Sequence, residues 1–381
     1  MSSRRTGFWL AAVLVVALAI FLWTRYLAIP ANVAYVSEEA GAISMIDLST
    51  LKVIRRVQPN DVAPRGLAVT FDGKYVVTSN KNTSDVAVFR TPRLSLVERI
   101  HVGDNPEFIK INPAGDRLFA TFEPTSQGGP PKSGKAEGSK GESKDGESKD
   151  GEAKDKDKAE AKNNDNDDDR PPAQIASFHV GDWAPGPVST AGQETEGMEF
   201  SPDGKLVLVA NESQENIGLF DEATGAHIRD IDLKAYGIRP RGVKVSPQGT
   251  GYAVTMETSG TLLTIDPNFN VIKSVPTAAK PYGLAFDRSG KRIFVSAALA
   301  GKLQVFAADS LQLLAEVPTG QRCWHFTFTP DDSRILLACG RSNNIVVVDA
   351  NSYKKIQTIE GFKLPWGIVT YPRSYGSLGL P

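Results

Sequence analysis

The chain has 381 residues, 41% of them hydrophobic, with a formal charge of −1, 34 glycines, 24 prolines and two cysteines. That length suits one large domain or two ordinary ones. The near-neutral balance excludes the global field of a nucleic-acid binder, and two cysteines exclude a disulfide-rich scaffold or a cysteine-rich metal cluster.

In chain order, Arg4 and Arg5 lead into an apolar run from Phe8 to Trp23. Positive charge ahead of such a run holds that end in the cytoplasm. Residues 1–30 therefore read as a transmembrane signal anchor in the inner membrane, with the body in the periplasm. The run is longer than a usual signal h-region and slightly short for a span. A removed signal peptide, cleaved near Ala31, stays open as the other reading, and both export the rest of the chain.

From residue 31 to 373 a repeat governs the sequence. A short landmark recurs as Pro64-Arg65-Gly66, Pro106-Glu107-Phe108, Thr195-Glu196-Gly197, Pro240-Arg241-Gly242, Pro281-Tyr282-Gly283, Cys323-Trp324-His325 and Pro365-Trp366-Gly367. Its third positions are 42, 89, 45, 41, 42 and 42 residues apart. Six of the units carry a turn at a fixed offset, such as Asp72-Gly73, Asp203-Gly204 and Ser289-Gly290, and these dipeptides predict tight two-residue hairpins. Each unit reads as four short strands, for example 67–71, 75–79, 86–89 and 96–102. Four strands per period of about 40 residues is the pattern of a propeller blade.

The ends of the chain set the count. Residues 33–58 supply three strands without a landmark strand, and the stretch from Pro365 to Tyr371 supplies a lone landmark strand. Joined, they complete a seventh blade and leave no open sheet edge. The expectation is an all-β, seven-bladed β-propeller with four antiparallel strands per blade, closed by the C-terminal strand, with residues 374–381 as a tail. The long interval holds a Lys/Glu/Asp/Gly-rich insertion at 125–172, too poor in apolar residues to offset the entropy of ordering, and is expected to be disordered. It falls between the second and third strands of its blade, at the landmark end.

The strand Tyr75-Val-Val-Thr-Ser-Asn80, its relatives Tyr35-Val-Ser37 and Phe294-Val-Ser296, the turn Ser201-Pro-Asp-Gly204 and the strand Ile345-Val-Val-Val-Asp-Ala350 resemble the YVTN-type β-propeller repeat. The resemblance spans roughly residues 33–372 apart from the insertion, and implies an exported propeller. The ending Pro365-Trp-Gly-Ile-Val-Thr-Tyr-Pro-Arg373 is similar to propellers that accompany pyrroloquinoline-quinone-dependent periplasmic oxidation, and to the haem d1-binding propeller of nitrite reductase and its biosynthetic relatives. No Cys-x-x-Cys-His is present, which excludes covalent c-type haem.

Propeller ligands gather at the axis where the first strands begin, so the candidate ligand-binding residues are Arg65, Glu107, Glu196, Arg241, Tyr282, Trp324, His325 and Trp366. Arginines suit carboxylate or phosphate oxygens, and aromatics suit stacking. Two readings stay open: a ligand or partner site, or a mutually salt-bridged plug. His325 is either an axial ligand or general base, or a packed histidine. Cys323 and Cys339 flank one hairpin, as a disulfide or as two buried thiols. No metal site is indicated, since no histidine pair stands at ligand spacing and Asp165, Asp167 and Asp169 lack the rest of a calcium loop.

No unit carries a converging acid, base and nucleophile. The leading functional expectation is a non-enzymatic binding or scaffold propeller at the periplasmic face of the inner membrane, with protein partners there and none of nucleic acid. Two alternatives stand beside it. One is a hydrolase similar to seven-bladed lactone-hydrolysing propellers, using Glu107 or Glu196 with Arg241 and His325. The other is non-covalent binding of haem d1 or a quinone cofactor.

Overall fold

A computed structural model describes residues 31–60, 62–123 and 171–380. The signal anchor expected over residues 1–30, and nearly all of the insertion, lie outside the described residues. Among the described residues no helix is long and apolar enough to cross a membrane.

The described chain forms seven four-stranded antiparallel sheets. In six of them the strands follow chain order; blade one, for example, contains Pro64–Val69, Tyr75–Asn80, Asp85–Arg90 and Ser95–His101. In the seventh, Pro365–Tyr371 pairs with Val33–Glu38, with Val33 opposite Tyr371 and Tyr35 opposite Val369. The ring is therefore closed between the two ends of the chain, as expected.

Burial explains the strand sequences. The inner strands lie between neighbouring blades and are buried nearly throughout, as in Tyr75–Asn80 and Asn344–Asp349. Each outer strand shows one face to water, so Lys52–Val57 alternates exposed and half-buried residues. The turns between first and second strands are longer than the two-residue hairpins expected from the sequence. Thr70 pairs with Tyr75 around a four-residue loop in which the Thr70 hydroxyl donates to Asp72 Oδ1 (2.8 Å), and Tyr75 N donates to Thr70 Oγ1 (3.0 Å). Side chains thus close the loop, and the glycine supplies only the left-handed residue, with φ of 69° at Gly73.

The landmark has a packing cause. A Cβ added to Gly66 would stand 2.6 Å from the carbonyl oxygen of Glu107, and one added to Gly283 would stand 2.6 Å from that of Trp324. Each landmark glycine faces the carbonyl of the variable landmark residue of the next blade, so only a hydrogen fits. Hydroxyls of the second strands tie the same carbonyls: Ser37 to Arg65 O (2.6 Å), Ser79 to Glu107 O (2.7 Å) and Thr255 to Tyr282 O (2.6 Å). The two blades without a landmark glycine place Phe108 and His325 instead, and these rings meet near the axis with centroids 6.2 Å apart.

Residues 374–380, expected as a tail, fold back into the axis. Ser377 lies against His325 and Phe326, Leu378 joins the main apolar cluster with Leu67 and Trp366, and the carbonyl of Gly379 accepts from Lys110 and Lys244.

Candidate functional site

At the landmark end of the axis, the variable residues form an interlocked charged mouth. Arg65 pairs with Glu107 of the next blade and with Glu39 (2.9 Å). Arg241 pairs with Glu196, with Glu212 (2.6 Å) and through Nε with Glu257 (2.7 Å). Tyr282 donates to Glu196 Oε2 (3.2 Å), and the Arg241 guanidinium lies 4.7 Å from its ring centroid. Trp366 is 2% exposed and lies 4.3 Å, centroid to centroid, from His325. The Trp324 ring packs on Gly340, in the short turn after the second strand of its blade.

The eight residues thus divide into two groups. Arg65, Glu107, Glu196, Arg241 and Tyr282 make a polar network; His325 and Trp366 lie beneath it, and Trp324 packs to the side. His325 is 4% exposed, with Nδ1 on Ser377 Oγ (3.0 Å) and Nε2 without a hydrogen-bond partner. Burial, with the charges of Arg241 and Lys244, pulls its pKa down to about 3, so the ring is neutral at physiological pH.

The network recruits residues outside the landmark ring. Glu39, Glu123, Glu212 and Glu257 each stand two residues beyond an equivalent position near the end of a second strand, occupied by Ser37, Thr121, Ala210 and Thr255. That offset was available in the repeat and marks the same end of four blades. Asn105, Glu194 and Arg239 directly precede landmarks, in left-handed backbone with φ of 46°, 51° and 62°. Arg239 pairs with Glu194 (3.3 Å) and with Glu212. Carboxylates crowd this side of the mouth. Burial, reinforced by Glu196, raises Glu107 to about 7 despite Arg65 and Arg241. Burial likewise lifts Glu212 to about 8 against Arg241, with Glu196 adding to the rise.

Between these groups lies a cleft of about 90 Å³ lined by Asn105, Glu107, Glu194, Glu196, Glu212 and Arg239, among others. Beneath the mouth, Glu199 bridges Lys110 (2.7 Å) and Lys244 (3.0 Å), all three at most 4% exposed. Cys323 and Cys339 are directly opposite each other across their hairpin and joined as a disulfide. Among the described residues no group of three His, Cys, Asp or Glu side chains is arranged to hold a metal.

Fold and mouth define a closed seven-bladed β-propeller whose axis is filled and whose landmark end is densely charged. Comparisons with known proteins agree on the fold. The family described as "Lactonase, 7-bladed beta-propeller" matches residues 31–129, about a quarter of the chain. No curated protein sequence matches. A functionally unknown protein from Desulfotomaculum acetoxidans superposes with a TM-score of 0.69 at 14% identity, over 89% of this chain and 98% of that one. The periplasmic gluconolactonase of Pseudomonas aeruginosa superposes at 0.65 and 15% identity, over 89% and 98%. The dihydro-heme d1 dehydrogenase NirN, in complex with DHE, superposes at 0.60 and 15% identity, over 90% of this chain and 75% of that one. At such identities the likeness is one of fold, and fold alone does not carry a reaction.

Proposed function

We propose that the protein is a binding propeller that recognises a partner at its landmark mouth without transforming it, tethered at the periplasmic face of the inner membrane. One observation carries this reading: the mouth's arginines are each held by at least two carboxylates, and the axis below is filled by Trp366, His325 and the C-terminal segment. Among the described residues nothing there converges a base, a nucleophile and an unoccupied cation on open space, as acyl-transfer chemistry requires. The disulfide supports an oxidising compartment. The haem d1 alternative draws no support from Trp366, which is buried with its ring against His325.

A lactone-hydrolysing reading has one observation in its favour. Glu107 is a carboxyl raised to about 7 beside Arg65, within the stretch that matches the lactonase family; a base poised near neutrality beside a cation can activate water against a carbonyl. The deciding assay is hydrolysis of glucono-δ-lactone and 6-phosphogluconolactone by purified protein lacking residues 1–30. The expected rate equals the spontaneous one. A rate above it that Glu107→Gln removes overturns the binding reading and installs the lactonase one.

A further inference from the structure

Residues lining the cleft carry buried oxygens without a hydrogen-bond partner: Asn105 Oδ1, Glu107 Oε2 and Thr195 Oγ1, beside Glu212 Oε1, which is ion-paired with Arg241 (2.6 Å). Glu107 is 9% exposed and Thr195 4%. Leaving such groups unmet in a buried setting is costly, and native proteins rarely do so without a reason. The orientation of Asn105 is fixed, because its Nδ2 donates to Glu107 Oε1 (3.1 Å) and the amide oxygen must then face away.

The lining selects the ligand. Carboxylates far outnumber the one lining guanidinium, Arg239, which disfavours an anion. A divalent metal is disfavoured by the lack of a ligating trio among the described residues. A guanidinium needs a carboxylate fork, and the facing carboxylates Glu194 and Glu212 already hold Arg239. An ammonium has three donors, no acceptor and a compact charge. About 90 Å³ accommodates that head with its first methylenes.

Resting on the binding reading above, we propose that this cleft seats a primary alkylammonium group against Asn105, Glu107 and Thr195. The group is the head of a free amine or the side chain of a lysine on a partner protein. Burial, reinforced by Glu196 and Glu39, raises the Glu107 pKa against the lowering effect of Arg65 and Arg241.

The test is titration of the protein lacking residues 1–30 with n-butylammonium chloride and, separately, with acetyl-Gly-Lys-Gly-amide, followed by backbone amide shifts. n-Butanol is the control for shape without charge. Saturable shifts confined to the mouth are expected with at least one of the two amines, and the tighter of them names the source. Glu107→Gln and Thr195→Val should each weaken binding by roughly tenfold. Thr195→Val removes no charge and keeps the question answerable if Glu107→Gln unfolds. Absence of binding by both amines, equal binding of butanol, or affinity indifferent to a folded variant overturns the proposal. Lactone hydrolysis would overturn only the non-catalytic reading, because the amine titration is read independently of turnover.

Discussion

At the scale of single residues, His325 shows how a functional-looking group becomes structural. It replaces a landmark glycine, and so looked like the one imidazole available at the mouth. The structure places it under the polar network, between Trp366, Tyr282 and Phe108 and bonded to Ser377. Its pKa falls to about 3 because burial and two cations penalise the imidazolium. The sign follows: a folded pKa below the unfolded value gives stability that is present above about 6.5 and lost as pH falls toward 3. The His325 ring resonances should therefore stay constant between pH 5 and 8. A titration midpoint near 6.5 would refute this burial and reopen a general-base role.

At the scale of elements, the C-terminal segment is better described as the core of the axis than as a tail. Ser377 Oγ receives Phe326 N (3.0 Å), donates to Phe326 O (3.1 Å) and meets His325. Leu378 is 4% exposed, and Gly379 O accepts from Lys244 (2.9 Å) and Lys110 (3.3 Å). Ser377→Ala leaves a buried amide without its partner and should cost about 1–3 kcal/mol. Deleting residues 374–381 also exposes the Lys110–Glu199–Lys244 group and forfeits the burial of Leu378, for a loss of roughly 3–5 kcal/mol. Urea unfolding checks both. An unchanged midpoint in the deletion would mean that the segment only rests on the ring.

At the scale of the whole molecule, the blade count and the closure were legible because one landmark register repeats in seven blades, and one packing rule, a glycine after the variable residue, governs five of them. Close approach of adjacent first strands demands glycine after the variable residue, and the rule shows even where Phe108 and His325 break it. The mouth was legible in part. Arg65, Glu107, Glu196, Arg241 and Tyr282 come together because they occupy one register of the ring. Glu212 and Glu257 reach the same place from the ends of second strands, an offset that only the closed ring makes adjacent to the landmarks. The C-terminal segment was not legible, since a stretch of serine, glycine and leucine has no periodicity to tell an axial filling from a free end. This assembly of charges from several blades sets the pH response of the fold. Glu107 and Glu212, raised to about 7 and about 8, each contribute stability that is full below about 4.5 and is lost as pH rises through those values. His325 works in the opposite sense up to about 6.5, so two carboxyls outweigh one imidazole. Unfolding free energy should fall by roughly 2–3 kcal/mol from pH 5 to 7, one net proton at about 1.4 kcal/mol per pH unit. Glu107→Gln should bring the profile close to flat over that range, because one carboxyl then balances His325. Stability that rises from pH 5 to 7 in the unmodified protein would mean that the mouth is not crowded with negative charge.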